Sequence, residues 1–268
     1  MKEKKKRRNE IWRNVYIGLV FAFIYLPMLV VIVFSFNTSE MNILMEGFTL
    51  KWYGSFFRNR TLMDSLENSL VIAFAATFLA TVIGTLGAVG MAKYDFPGKK
   101  IIDKLLYIPI VIPEVILGVA LLCVYSFCSI PLGLASVIFA HVTFCIPFVV
   151  ITVRTRLSGF DKNLEEAAMD LGANRFMTFM KITLPLILPG VASGAILSFT
   201  LSLDDVIISF FCSGPRSTTL PLKILSMVKT GVTPEVNALS AIIMFAIIIV
   251  ISLNTGASVK KLKPKREE

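Results

Sequence analysis

Three carboxylates stand where a carboxylate is costly to keep. Glu114 lies inside the apolar run Leu105–Phe127, and Asp204 and Asp205 lie together inside the run Leu186–Phe211. A helix rises about 1.5 Å per residue, so each run is long enough to cross a hydrocarbon core of about 30 Å. Ionisable groups within such a span are functional-site candidates by default. Glu114 sits about ten residues past Lys104, roughly 15 Å deep in a helix and near the midplane. Pro109 and Pro113 flank it and predict broken backbone pairing, which membranes tolerate where a cavity is lined. Neither run contains Lys, Arg or His. No ion pair within the chain is therefore evident, and external cations are the candidate counter-ions. A carboxylate-lined path suits a linear amine, because each ammonium that loses water needs an acceptor in return. Pairing with Lys or Arg of another subunit, or protonation, is the alternative state of these acids.

Gly194, Ser198, Ser202, Asp205 and Ser209 recur at i+3/i+4 steps and share one helical face. That small, polar stripe could line a water-filled path or form a helix–helix packing seam. Asp204 is about 100° around the helix from Asp205 and is free to face a partner. Cys123, Cys128, Cys145 and Cys212 fall in or beside apolar runs, with no C-x-x-C and no nearby His set. They read as small packing residues, and no metal site is expected. The lone His141 reads as a packed or interfacial histidine.

The elements that must hold these groups are membrane helices. Of 268 residues 55% are hydrophobic and 17% charged, with a mean hydropathy of +0.75, which is a membrane-class composition. Six apolar runs follow one another: Val15–Phe36, Leu70–Ala92, Leu105–Phe127, Leu134–Val153, Leu186–Phe211 and Val236–Leu253. The length leaves room for one helical bundle and no separate catalytic domain. With the amino terminus in the cytoplasm, the tails and internal loops hold 21 Lys and Arg, while Lys51, Arg58, Arg60, Arg216, Lys223 and Lys229 are the 6 outside. That bias predicts both termini cytoplasmic and an even number of spans. The net charge of +9 is thus mostly a topology signal, and the basic MKEKKKRR start is expected to flank a membrane span and not to bind nucleic acid. The first span is longer than a signal-peptide core and is followed by SFNTSE, a poor cleavage site, so it is expected to remain as an anchor.

Between spans, the external loop Asn37–Ser69 holds FTLKWYGSFF, whose aromatics suit a surface-lying helix. KYDFPGKK (Lys93–Lys100) and Ile130–Gly133 are short turns. The cytoplasmic segment Arg154–Leu184 is different. Leu164, Ala167, Ala168 and Leu171 form an apolar stripe, with Asp161, Lys162, Glu165 and Asp170 largely off it. Asp161 predicts an N-cap, Gly172 a left-handed stop, and Asn174–Ile182 a second short helix running to Pro185. The expected hairpin either docks a partner, with Glu166 and the small surface of Ala167, Ala168 and Gly172, or lies flat on the bilayer. Because its second arm leads into the fifth span, movement of the hairpin would reach the membrane core.

The order Glu166-Ala167-Ala168, Gly172, Ile182, Leu184-Pro185 resembles the EAA motif, E-A-A-x3-G-x9-I-x-L-P, of permease subunits of binding-protein-dependent ABC importers. Every fixed position matches. GFTLKWY, AHVTFCIPFVVITVRTRLSGFD, LSFTLSLDDVIISFF and LPLKILSMVKTGVTPEVNALS extend the likeness over nearly the whole chain, and are similar to the C-type permeases of spermidine/putrescine importers. The resemblance implies an all-α polytopic membrane protein with six transmembrane helices, in the type I ABC importer permease (MetI-like) fold with a cytoplasmic coupling helix. The implied organisation is a basic tail at 1–14, a transmembrane permease domain at 15–258 with its EAA loop at 154–185, and a C-terminal tail at 259–268.

The same resemblance implies a second, related permease as heterodimer partner, two ATPase subunits, an external polyamine-binding protein and surrounding lipid, in a bacterial inner membrane. It implies no cofactor in this chain. ATP and magnesium are used by the partner ATPase, and no Walker-type G-x-x-x-x-G-K-[ST] occurs here. Residues associated with uptake in that family correspond to Trp52, Glu114, Asp204 and Asp205, with Ser202 beside them; Glu114 stands where relatives can have Asp. Trp52 offers a cation–π face near the outer entrance, or an interfacial anchor. The alternatives are the same machine for an amino acid, an opine-like compound or ferric ion, and a membrane enzyme of the aspartyl-protease kind. Against the enzyme, the one candidate acid pair is adjacent in sequence and about 100° apart on a helix.

Overall fold

The apolar runs fold as helices, and among the described residues the only extended pairing is one isolated bridge between Asn37 and Phe48. The computed structural model describes residues 2–39, 44–159, 161, 163–230, 234–245 and 248. In chain order the helices are α1 (Lys2–Phe34), α2 (Lys51–Arg58), α3 (Arg60–Lys93), α4 (Lys99–Val111), α5 (Glu114–Phe127), α6 (Leu134–Leu157), α7 (Asn163–Asp170), α8 (Arg175–Thr178), α9 (Leu184–Asp204), α10 (Ile207–Cys212), α11 (Leu220–Thr230) and α12 (Pro234–Phe245). Four stretches are long and apolar enough to cross a membrane: Trp12–Phe34, Arg60–Lys93, Leu134–Leu157 and Arg175–Asp204. α4 and α5 are together long and apolar enough but form a pair bent by 115°, the geometry of a broken span or a re-entrant loop, and α12 covers the start of the sixth expected run. The rest of that run and the tail at 259–268 lie outside the described residues. The basic start is helical, with α1 beginning at Lys2 and its apolar spanning stretch at Trp12.

The chain forms two compact units, Met1–Met63 with Ser226–Glu268, and Asp64–Leu225. In the first, α2 is the surface helix expected from FTLKWYGSFF. The Tyr53 hydroxyl lies 2.8 Å from that of Ser35, Phe36 stacks on Phe48, and Ser55 and Asn59 hydrogen-bond to the Glu235 carboxylate.

In the second unit α6 is the central helix. Ile72, Val137, Phe144, Val149, Val153 and Ile187 are among the buried side chains of its core. α6 and α9 run antiparallel with small residues at the seam. A Cβ on Gly194 would sit 2.5 Å from Thr152 Oγ1 and 3.1 Å from Val149 Cα, so only glycine permits this approach. The same holds at Gly84, where a Cβ would come within 2.8 Å of Val149. Tyr125 donates to Ser136 O at 2.9 Å and Ser136 Oγ bonds Cys212 O at 2.8 Å, which ties α5, α6 and α10 together.

Two expected spans are broken, not continuous. Pro113 has no N–H and holds its predecessor Ile112 extended (ψ 137°), so α4 stops and α5 restarts at Glu114. The fifth run stops at Asp204; Asp205 is extended (φ −63°, ψ 131°) before α10 begins. The second arm of the hairpin also differs from expectation. It does not end at Pro185 but passes through a π-helical turn, Phe179–Thr183, directly into α9. Pro185 and Pro189 cannot donate to the carbonyls four residues back, and the wider turn accommodates that loss.

Candidate functional site

Both breaks place an acid at a helix end. Glu114 is the first residue of α5, where a carboxylate meets the positive end of the helix. Asp204 is the last residue of α9, beside that helix's unpaired carbonyls. Both are exposed in this chain, and Glu114 is close enough to Asp205 and Asp204 to feel their charge. Among the described residues neither Glu114 nor Asp204 has a basic partner within salt-bridge distance. Two exposed carboxylates, one of them beside the carbonyl end of α9, offer acceptors suited to a cation rich in N–H donors.

Asp205 is elsewhere. It is 8% exposed, and its carboxylate accepts from Ile208 N at 3.1 Å and Ser209 N at 2.7 Å, capping the first turn of α10. Its Oδ2 also lies 3.3 Å from His141 Nε2. The expectation that the acids find no basic partner within the chain therefore fails at this residue, whose partner is an imidazole. The partner comes from α6, where a search confined to the third and fifth spans does not reach. Ser202 is likewise buried, 2.7 Å from His141 Nδ1, and Ser209 Oγ lies 3.2 Å from Nε2. The small stripe from Gly194 to Ser209 is thus the packing seam: Gly194 faces Thr152, Ser198 O faces Cys145 Sγ at 3.6 Å, and Ser202 faces His141. His141, read from the sequence as a packed or interfacial histidine, is fully buried and packed, and its contacts with Ser202, Asp205 and Ser209 are what the sequence did not show. Its i+4 spacing to Cys145 on α6, opposite the serine stripe, was the available signal.

Trp52 is 7% exposed, donates Nε1–H to Asn37 O at 2.7 Å, and carries the Lys51 ammonium 4.9 Å from its ring centroid. It is packed within the first unit and is not an open interfacial anchor.

The hairpin has the expected caps. Asp161 Oδ1 accepts from Asn163 N at 3.0 Å. Gly172 is left-handed (φ 90°), with Gly172 N bonded to Met169 O and Ala173 N to Ala168 O, a Schellman stop. Asn174 Oδ1 caps α8 through Met177 N at 2.8 Å. α7 buries no residue: Glu166 and Ala167 point out, Ala168 is half-buried and Leu171 is 90% exposed. Ile182 and Leu184 are half-buried in the joint, with Pro185 exposed at the start of α9. Glu165, the neighbour of the motif glutamate, is turned inward instead. It pairs with Lys93 Nζ at 2.7 Å at the end of α3, and accepts from the buried Thr183 hydroxyl in the π turn.

Comparison with known proteins agrees with this architecture. Over 244 residues the chain is 45% identical to the spermidine/putrescine transport system permease protein PotC of Escherichia coli K12, covering 91% of this chain and 92% of that one. It is 40% identical to the putrescine transport system permease protein PotI of the same organism, covering 89% and 88%. A bacterial ABC transporter for the acidic polysaccharide alginate shares the fold, with a TM-score of 0.72 at 16% identity over 97% of this chain and 98% of that one. The MetNI methionine ABC transporter follows with a TM-score of 0.60 at 19% identity, covering 75% and 95%. Residues 80–267 match the family described as binding-protein-dependent transport system inner membrane component, and the chain belongs to that family.

Proposed function

We propose that this chain is one permease subunit of an ATP-driven importer of spermidine or putrescine, in which Glu114 and Asp204 receive the cation's ammonium groups. The observation that carries the reading is that Glu114 and Asp204, each exposed at a helix end in a broken span and near enough to interact electrostatically, have no basic partner within salt-bridge distance among the described residues. A polyamine offers several N–H donors along a flexible chain, so it can exchange water for these acceptors one ammonium at a time. The names of the relatives at 45% and 40% identity support the same cargo. Trp52 belongs to the entrance in this reading, and Asp205 and Ser202 hold the path's wall.

The energy comes from elsewhere. The exposed hairpin, with Glu166, Ala167, Ala168 and Gly172 outward and Ile182, Leu184 and Pro185 at its root, is the docking element for an ATPase that binds ATP and magnesium. A second permease completes the path, a binding protein delivers the cargo from outside, and alternating access moves it. Both termini face the cytoplasm, as the 21 Lys and Arg in the tails and internal loops favour. The test is reconstitution of the complex in vesicles. Uptake of labelled spermidine or putrescine, driven by ATP, is the expected result; import of ferric ion or an amino acid without polyamine uptake would overturn the substrate.

A further inference from the structure

The break in the fifth span has no proline to cause it. What sits there instead is a buried polar knot of four side chains: His141, Ser202, Asp205 and Ser209. Ser202 belongs to the last turn of α9 and Ser209 to the first turns of α10, so they lie on opposite sides of the break. One imidazole reaches both, with Nδ1 2.7 Å from Ser202 Oγ and Nε2 3.2 Å from Ser209 Oγ. The helix that carries it, α6, runs unbroken from Leu134 to Leu157. A carboxylate can only accept, so the proton sits on Nε2, facing Asp205 Oδ2 at 3.3 Å, and Nδ1 accepts from the Ser202 hydroxyl. Asp205 then has three donors, counting Ile208 N and Ser209 N, and little capacity left for a substrate ammonium.

We propose that His141 is a positioning residue for translocation: it clamps the break in the fifth span, withdrawing Asp205 into the seam and leaving Asp204 alone to face the cargo. The two adjacent acids thus have different tasks. The role of Asp204 rests on the polyamine reading, whereas the clamp itself does not.

Two measurements on the full transporter in vesicles test this. The first uses Val206→Cys, a half-buried position inside the break, with Cys123, Cys128 and Cys212 replaced by Ala and buried Cys145 retained. Adding His141→Gln should raise the rate of labelling at 206 by a cationic thiol reagent at least tenfold, with Cys145 still protected. Ser202→Ala and Ser209→Ala, which each remove one arm, should raise it about threefold and serve if the His141 variant does not assemble. A rate unchanged within twofold, or labelling of Cys145 together with 206, overturns the clamp, the second because His141 would then only hold the seam closed.

The second measurement is spermidine uptake in a double-mutant cycle. His141→Gln and Asp205→Asn together should be no worse than either alone, within about twofold, while His141→Gln and Asp204→Asn should multiply. Multiplying losses for the His141 and Asp205 pair would mean that Asp205 serves the amine itself, and would overturn the division of tasks. Labelling as expected with wild-type uptake by Asp204→Asn would instead overturn the role of Asp204 and leave the clamp standing, whereas no spermidine uptake by the unsubstituted transporter would overturn the polyamine reading.

Discussion

Asp204 and Asp205 are chemically identical neighbours with opposite surroundings. One is exposed at the carbonyl end of α9; the other is buried and bonded three times. A charge-assisted hydrogen bond contributes about 1.5–3 kcal/mol, or roughly a 10- to 100-fold effect on a rate when lost. Asp204→Asn is therefore expected to lower polyamine uptake at least about tenfold with no change in the amount of protein in the membrane, measured in vesicles against an immunoblot. At Glu114, Asp keeps the charge and Gln removes it. Glu114→Asp should retain most uptake and Glu114→Gln lose about tenfold, and equal losses for the two would argue that size, not charge, matters there.

At the scale of elements, the seam between α6 and α9 depends on backbone approach. Gly194→Val places branched carbons against Thr152 and Val149, where there is no space, and overpacking of this kind costs about 1–3 kcal/mol. A thermal shift of the purified protein should show a lowered midpoint, with Gly87→Val as the control, since nothing lies within 4 Å of that glycine. The hairpin makes a second element-scale prediction. Its Glu166 is exposed, while its inward Glu165 is tied to α3 through Lys93 and to the α8–α9 joint through Thr183. Glu166→Lys should abolish association with the ATPase in a pull-down. Glu165→Gln and Lys93→Met should preserve association and lower the polyamine moved per ATP hydrolysed by about half or more. Loss of association in the Glu165 variant would place that residue at the docking surface instead.

For the molecule as a whole, the charge bias predicts sidedness. In right-side-out vesicles, a cysteine at the exposed Leu171 position of the hairpin should resist an impermeant thiol reagent, and one at the exposed Arg216 position should react. The reverse pattern would invert the topology. Family membership settles that the chain is a transport component of the inner membrane, and the first helix of the hairpin buries none of its residues.

The order of the apolar helices, the hairpin with its caps at Asp161 and Gly172, and the break at Pro113 were legible in the residues, while of six expected spans four form single spanning helices. Each follows from a local cause: apolar length, a side chain that caps its own turn, a missing N–H. The motif from Glu166 to Pro185 was legible for the same reason, as a fixed spacing along one stretch of chain. What the sequence by itself could not determine was which acid is exposed and which is buried. Asp205 is withdrawn by His141, which lies on another helix more than sixty residues away, and no periodicity within the fifth span encodes that meeting. The same holds for the serine stripe, which reads equally as path or seam until α6 packs against it, and for Glu165, whose partners Lys93 and Thr183 come from two other elements. Of the three carboxylates, tertiary packing left Glu114 and Asp204 exposed and buried Asp205, because a buried charge persists only where donors converge on it, here Ile208 N, Ser209 N and His141.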